Sequence, residues 1–291
     1  MRKLKNYPVE KIILNDIKIA FRKMGSGPPL LLLHGYPQNM FMWHLVAGEL
    51  SDHFTLVLAD LRGYGDSDKP KSDETHSLYS KKNMAKDMHL LMEQLGYNYY
   101  SVIGHDRGGR VAHRMARDYH DSIEKISVLD IAPTISMYKK TNFEFAKAYY
   151  HWFFLIQPYP LPEQLISKDP EFYLRHKMNS WGRKEDFHSS EAMKEYIRCF
   201  CNSDAIHSTC EDYRASSTID LTHDEEDKTK LQMPLQAIWG KEGFVGKNYN
   251  VISEWRKVAQ NVNGAEVPGG HYVVEESPME FLKIILPFLK N

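Results

Sequence analysis

The segment "GHDRGGR", residues 104–110, decides how the rest of the chain is interpreted. It fits the pattern glycine–x–nucleophile–x–glycine, in which a strand enters a tight turn and a helix follows. The glycines at positions 104 and 108 permit a close turn that exposes the central side chain. That central residue is Asp106, where many such turns carry serine. The alternative is that Asp106 only caps the following helix, because aspartate is a favoured N-cap residue.

Short apolar segments alternate with helical segments along most of the chain. Two strands are predicted around an Asn-Asp turn within 10–23, and others at 55–60, 100–105, 125–131 and 235–240. The segment 29–35 is predicted as a strand that runs into a glycine loop, and 265–271 as a last strand and loop. Helices are predicted at 78–95, 107–119, 248–259 and 277–290. Such alternation predicts an α/β fold with a mostly parallel sheet that helices cover on both faces. Functional side chains then belong at the carboxyl ends of the strands.

Residues 134–222 interrupt this alternation. The segment contains the aromatic run "YYHWFF" (149–154) and the proline-rich break "QPYPLP" (157–162), and it has little strand character. We interpret it as a helical cap domain inserted into a core domain made of residues 1–133 and 223–291. The charged run "HDEEDKTK" (223–230) is typical of a solvated linker after the cap.

The composition is that of an ordinary globular chain. Hydrophobic residues make up 42% of the 291 positions, and 37 basic against 38 acidic residues leave a net charge of −1. No overall field would attract nucleic acid or an anionic membrane, and we expect neither a signal peptide nor a membrane span. The three cysteines lack the paired spacing of a metal site and are expected to be reduced thiols: Cys199, Cys201 and Cys210. We therefore expect a cytoplasmic protein that binds a small molecule.

A nucleophilic Asp106 favours one kind of chemistry. An amide substrate would expel a carboxylate, but a carboxylate can displace a leaving group from saturated carbon and form an alkyl ester. Hydrolysis of that ester needs a general base, and His271 in "PGGHY" follows the last predicted strand. The backbone N–H groups of Tyr36 and Arg107 are candidates for the oxyanion hole. These steps require no metal and no organic cofactor.

The histidine also needs an acid that orients its ring. The position after the strand ending in "WG" offers only Glu242, one residue before the usual place, whereas Asp130 ends the strand "KISVLD". We favour Asp130 over Glu242, because catalytic groups gather where strands end. Asp60 ends another strand and is expected to brace its own turn. The other histidines are expected to pack or face solvent.

Two arginines stand beside the predicted nucleophile. Arg107 and Arg110 lie in the first turn of a helix, where cations are unfavourable. Their placement indicates that an anion is held there, and guanidinium groups suit a carboxylate through bidentate hydrogen bonds. The alternative is that both arginines pair with surface acids such as Asp118 or Asp121.

Nine segments spread over the chain match the pattern of one known family. They are "HGYPQ" (34–38), "DLRGYGDSDKP" (60–70), "GHDRGGRVAHRMA" (104–116), "LDIAPT" (129–134), "HWFF" (151–154), "WG" (181–182), "CEDYRA" (210–215), "WG" (239–240) and "GGHY" (269–272). In these segments the chain resembles the fluoroacetate dehalogenases, a branch of the α/β-hydrolase superfamily. The two arginines together with "HWFF" and "EDYRA" make the match specific, since the other motifs occur throughout the superfamily.

The resemblance implies a fold, an assembly and a set of roles. The fold is that of an α/β-hydrolase with an eight-stranded sheet, and the assembly is a homodimer. The catalytic set is Asp106 as nucleophile with Asp130 and His271 as acid and base, and Arg107 and Arg110 bind the substrate carboxylate. The halide pocket consists of His151, Trp152 and Tyr213, with Trp181 lining the pocket. Taken alone, the run "YYHWFF" favours packing, although imidazole, indole N–H and phenol are also suitable donors to a leaving halide. Tyr36 stands where the family commonly has phenylalanine.

The leading hypothesis is a hydrolytic dehalogenase that converts fluoroacetate or chloroacetate to glycolate and halide through an aspartyl ester. An epoxide hydrolase would use the same acid, base and nucleophile, with Tyr213 and either Tyr149 or Tyr150 as proton donors to the epoxide. A haloalkane dehalogenase is disfavoured because that family typically has tryptophan where Arg107 stands. A ligand-binding scaffold without turnover is the remaining alternative.

Overall fold

The computed structural model describes residues 3–182 and 187–291. These residues form an eight-stranded sheet in the order β1-β2-β4-β3-β5-β6-β7-β8. The strands are β1 (Glu10–Leu14), β2 (Ile17–Met24), β3 (Pro29–Leu33), β4 (Thr55–Ala59), β5 (Tyr100–His105), β6 (Ile123–Leu129), β7 (Leu235–Gly240) and β8 (Val262–Val267). β2 pairs antiparallel with both β1 and β4, and every other pair is parallel. The predicted α/β architecture with its eight strands is confirmed.

The sheet is buried at its centre because its middle strands are apolar on both faces. Leu30, Leu31, Leu32 and Leu33 of β3 are all fully buried, as expected for a parallel strand with helices above and below it. β8 begins at Val262, three residues before the predicted last strand and loop (265–271), and ends at Val267. The glycine loop that carries His271 follows it, as predicted.

The described residues form fifteen α-helices and four short 3-10 turns. The helices are α1 (Ala47–Leu50), α2 (Lys81–Gln94), α3 (Arg107–Asp118), α4 (Thr134–Lys139), α5 (Phe143–Ala148), α6 (Tyr150–Phe154), α7 (Leu161–Lys168), α8 (Pro170–Trp181), α9 (Ser190–Phe200), α10 (Ser203–Ser217), α11 (Ile219–Glu226), α12 (Phe244–Asn248), α13 (Val251–Trp255), α14 (Val273–Glu276) and α15 (Pro278–Lys290). The helix predicted at 248–259 is shorter than expected, since the helix within that range is α13, which begins after the Asn250 side chain accepts the Ser253 N–H and ends at Trp255.

Helices α4 to α11 follow one another between β6 and β7, where the sequence predicts the inserted cap. α11 continues to Glu226, so the first half of the predicted linker 223–230 is helical and that expectation is wrong there. Charged residues suit the solvated face of a helix as well as a loop. Arg117 holds the end of α11 through the carboxylate and the carbonyl oxygen of Asp227. The division into two domains stays a prediction.

None of the helices in the described ranges has both the length and the apolar character needed to span a bilayer.

Candidate active site

Asp106 lies at a sharp turn between β5 and α3. Its backbone has φ 45° and ψ −112°, a strained conformation for a residue other than glycine. The turn needs both flanking glycines, because a Cβ on Gly104 would lie 2.3 Å from the Gly108 carbonyl oxygen, and one on Gly108 would lie 2.4 Å from the His34 carbonyl oxygen. The carboxylate does not cap α3, so the alternative of a simple helix cap is wrong. Instead, Oδ2 accepts the Tyr36 N–H at 3.0 Å.

His271 faces this turn from the loop after β8. Its Nδ1 lies 2.7 Å from Asp130 Oδ2, and the second oxygen of Asp130 accepts the Gly240 N–H at 3.1 Å. The structure therefore places Asp130 against the ring, as predicted, whereas Glu242 accepts the Gly269 N–H. Asp60, also as expected, braces its own turn by accepting the N–H groups of Met40 and Asp66.

Neighbouring charges shift the pKa values of Asp106 and His271 in opposite directions. Burial alone would raise the pKa of Asp106, but the nearby charges of His271 and the two arginines outweigh it and hold that pKa below its usual value. Burial likewise lowers the pKa of His271, yet the hydrogen bond and charge of Asp130, together with the charge of Asp106, leave it raised. Burial lowers the pKa of His105 to about 3, so that ring stays neutral. The site thus pairs an ionised carboxylate with a readily protonated imidazole.

Arg107 is held by an acid from α10. Its Nε lies 2.8 Å from Asp212 Oδ2 and its Nη2 lies 2.5 Å from Oδ1. Nη2 also donates to Ser216, and the guanidinium carbon lies 4.2 Å from the centre of the Tyr213 ring. The bidentate edge of Arg107 is therefore occupied by Asp212. The remaining nitrogen, Nη1, is buried and has no hydrogen-bond partner among the described residues.

Arg110 is held differently and also keeps one free nitrogen. Its Nη1 donates to Thr134 Oγ1 at 2.8 Å and its Nη2 contacts the Met137 sulfur at 3.2 Å. Its Nε is buried and without a partner in the described part of the chain. The alternative of pairing with surface acids is wrong, because Asp118 pairs with Arg114 and Asp121 with His120. The two arginines offer one unpartnered N–H group each, in the first turn of α3.

The predicted halide residues lie together over the turn. The Tyr213 ring is 5.5 Å from His151 and 6.4 Å from Trp152, and all three are nearly completely buried. The centre of the Trp181 ring lies 4.4 Å from that of His151 and 5.5 Å from that of His271. The Nδ1 atom of His151 is buried and has no hydrogen-bond partner among the described residues. The Tyr36 ring is 5.4 Å from Tyr213, but its hydroxyl donates to Tyr173.

Known proteins that are similar to the chain share its fold. The family model described as the alpha/beta hydrolase fold matches residues 28–278. The chain belongs to the α/β-hydrolase family. A fluoroacetate dehalogenase from a Burkholderia species is 40% identical over 96% of this chain and 92% of its own length, which confirms the resemblance found in the sequence.

Two other proteins are similar to this α/β hydrolase over nearly its whole length. A soluble epoxide hydrolase from Corynebacterium sp. (strain C12) is 34% identical over 95% of each chain. A crystal structure of a protein from Nostoc sp PCC 7120, described as an alpha/beta hydrolase, superimposes with a TM-score of 0.98 at 49% identity and covers 99% of both chains. The chain is thus a hydrolase of this family, with dehalogenases and epoxide hydrolases among its relatives.

Two clusters outside this site have the spacing of metal ligands. Asp66, Glu195 and Cys199 form one, and Glu163, His207 and Glu211 the other. In each cluster an arginine already binds both carboxylates: Arg198 in the first and Arg214 in the second. The arginines supply the positive charge that a metal would bring, so both clusters are ion-pair networks.

Asp212 is the residue of this site that the sequence analysis missed. It is fully buried and binds Lys81 and the Tyr64 hydroxyl as well as Arg107. Burial would raise its pKa, but the charges and hydrogen bonds of Arg107 and Lys81 hold that pKa well below the usual range. The available signal was its position directly before Tyr213, in the segment "CEDYRA".

Proposed function

We propose that this α/β hydrolase removes the halide from short 2-haloacids such as fluoroacetate and chloroacetate through a covalent ester of Asp106. The observation that carries the proposal is the pair of buried, unpartnered donor nitrogens, Arg107 Nη1 and Arg110 Nε, on two arginines whose charges act on the Asp106 carboxylate. Buried donors without acceptors are costly. A substrate carboxylate would satisfy both and would set its own C2 atom next to the nucleophile.

In the first step an Asp106 oxygen forms a bond to C2 while the carbon–halogen bond breaks. The halide leaves with the bonding electron pair, and its developing charge needs donors. His151, Trp152 and Tyr213 offer an imidazole, an indole N–H and a phenol for this purpose. The lowered pKa of Asp106 keeps the nucleophile ionised at neutral pH.

In the second step His271 takes a proton from water, and the water oxygen bonds to the carbonyl carbon of the Asp106 ester. The Tyr36 N–H, which already binds Oδ2, would stabilise the oxyanion together with the Arg107 N–H. Collapse breaks the bond between that carbon and the glycolate oxygen, which takes the proton from His271. The second proton of the water leaves the new Asp106 carboxyl group to solvent, and the Asp106 carboxylate is restored. Because the Asp106 charge helps to raise the pKa of His271, ester formation lowers that pKa just when a neutral base is required.

Epoxide hydrolysis is the second candidate function, because the 34% identical relative is an epoxide hydrolase. It would need Tyr213 and either Tyr149 or Tyr150 to protonate the epoxide oxygen. The Tyr150 ring, however, lies over the Lys177 ammonium group, 3.5 Å from it. An uncharged epoxide would also leave the free N–H groups of Arg107 and Arg110 unsatisfied, which favours the haloacid.

The proposal is tested with fluoroacetate, chloroacetate, chloroacetamide and styrene oxide. Chloroacetamide is the matched control, since it has the same leaving group as chloroacetate but no carboxylate. We expect halide from the two haloacids, much less from chloroacetamide and no diol from styrene oxide. Diol formation without halide release from either acid would establish the epoxide hydrolase instead.

A further inference from the structure

A cavity of about 520 Å³ extends from the protein surface to His271. Its outer part is lined by the exposed residues Glu144 and Lys147, and its inner part by His271 and Trp181. The cavity therefore lies where small molecules would pass between solvent and the candidate active site. Lys177, on α8, also lines it.

Lys177 is unusual because, among the described residues, no acid pairs with its charge. The residue is fully buried, and its Nζ has no hydrogen-bond partner among the described residues. Aromatic rings surround the Nζ instead, at 3.5 Å for Tyr150, 5.2 Å for Trp181 and 5.9 Å for Tyr173. By contrast, the buried Lys81 lies against the carboxylates of Asp212 and Asp220.

A buried ammonium group without a partner is costly. Burial lowers the pKa of Lys177 to about 7, and cation–π contacts offset only part of the desolvation. An anion beside Nζ would offset the rest. The pKa of His151, in the predicted halide pocket, is lowered mainly by burial and next by the charge of Lys177. Lys177 is therefore close enough to that pocket for its charge to act there.

We propose that Lys177 is an anion-binding residue that takes small monoanions, carboxylates and halides, in the cavity leading to His271. The inference rests on the proposed function in one respect: the haloacid, the glycolate and the halide are all anions, and this cavity joins His271 to the solvent. The ring that covers Nζ belongs to Tyr150, whose side chain is 40% exposed. An arriving anion can therefore replace the Tyr150 ring at Nζ without disturbing the core.

Inorganic bromide is a suitable probe, because it quenches tryptophan fluorescence on contact and Trp181 lies beside Nζ. Trp152→Phe serves as the background, since it removes the indole of the predicted halide pocket. In that background we compare Lys177→Met, Lys177→Arg, which keeps the charge, and Lys147→Met, which removes an exposed charge from the same cavity.

We expect bromide to quench the fluorescence saturably. The bromide affinity should fall roughly tenfold or more in Lys177→Met, as for loss of a charge-assisted hydrogen bond. The affinity should be retained in Lys177→Arg and Lys147→Met. Equal bromide affinity in Lys177→Met and in the background would overturn the proposal and leave Lys177 as a packing residue.

Should Lys177→Met fail to fold, anomalous diffraction from bromide-soaked wild-type crystals decides. A bromide beside Nζ supports the proposal, and bromide only at His151, Trp152 and Tyr213 contradicts it. Because no turnover is needed, failure here leaves the dehalogenase proposal intact, and the converse also holds.

Discussion

At the scale of single residues, Arg110 has no hydrogen-bonded carboxylate in the described part of the chain. Arg107 has Asp212 as its partner, but Arg110 is held by a hydroxyl, a carbonyl oxygen and a sulfur atom. Burial and the charge of Arg107 lower the pKa of Arg110, and the charge of Asp106 acts in the opposite direction. A substrate carboxylate would give Arg110 a second negative charge and a hydrogen-bond acceptor, and this is the electrostatic reason to expect an anionic substrate.

Arg110→Ala should accordingly lower kcat/KM for chloroacetate. The expected loss of transition-state binding is about 1.5–3 kcal/mol, the value of a hydrogen bond to a charged group. Arg114→Ala is the matched control, because Arg114 lies on the same helix and pairs with Asp118, 2.8 Å from its Nε. Steady-state kinetics of both variants test whether Arg110 binds the substrate carboxylate. Equal kinetics in wild type and Arg110→Ala would remove the carboxylate role.

The opposite pKa shifts of Asp106 and His271 predict a pH range in which the two steps separate. The pKa of Asp106 is lowered from 3.8 and that of His271 is raised from 6.5. At about pH 5 Asp106 is ionised and can form the ester, whereas His271 is protonated and cannot act as a base. Rapid-quench measurement should therefore show a burst of halide of about one per site followed by slow turnover, and a much faster steady state at about pH 9. Identical time courses at both pH values would contradict the assigned base.

At the scale of secondary-structure elements, α10 is joined to α2 and α3 by one buried carboxylate. Asp212 on α10 contacts Lys81 on α2 and Arg107 on α3. The same contact orients Arg107 so that Nη1 is the nitrogen left for a ligand. The helix that carries Tyr213 is therefore positioned by the arginine that the substrate is proposed to bind.

Asp212→Asn removes this charge while keeping the side-chain shape. It leaves Arg107 and Lys81 buried without their shared carboxylate, which should lower the free energy of unfolding by about 3–5 kcal/mol. Urea unfolding of Asp212→Asn measures this, with Asp118→Asn as the control, because Asp118 forms a more exposed pair worth at most about 1 kcal/mol. A loss no larger than that of the control would show that the network does not stabilise the fold.

The elements themselves were largely predictable, because each reflects a local pattern. The apolar run "LLLL" predicts β3, and the glycines around Asp106 predict the turn into α3. Errors occurred where local sequence suits two states, as in the charged run at 223–230, or where a single capping side chain such as Asn250 restarts a helix. Neither outcome is set by hydrophobic periodicity.

At the scale of the whole molecule, the sheet brings together Asp106, Asp130 and His271 from three loops far apart in the chain. Their convergence was predictable, because parallel strands end at one edge of the sheet. Asp212 and Lys177 were not predictable, since their surroundings depend on how the helices between β6 and β7 pack on the core. Motifs identify residues that the family pattern marks, whereas an ion pair or an aromatic cage is a property of the packed structure.

The central claim is that Asp106 becomes covalently attached to the substrate, and His271→Asn tests it most directly. Displacement needs no base, so this variant should release up to about one halide per site from fluoroacetate and then stop. Asp106→Asn, the control, should release none. Mass spectrometry of the stalled His271→Asn protein should find a carboxymethyl group on the peptide that contains Asp106. Halide release with an unmodified Asp106 peptide would mean that water attacks the substrate directly, and the ester mechanism would be wrong.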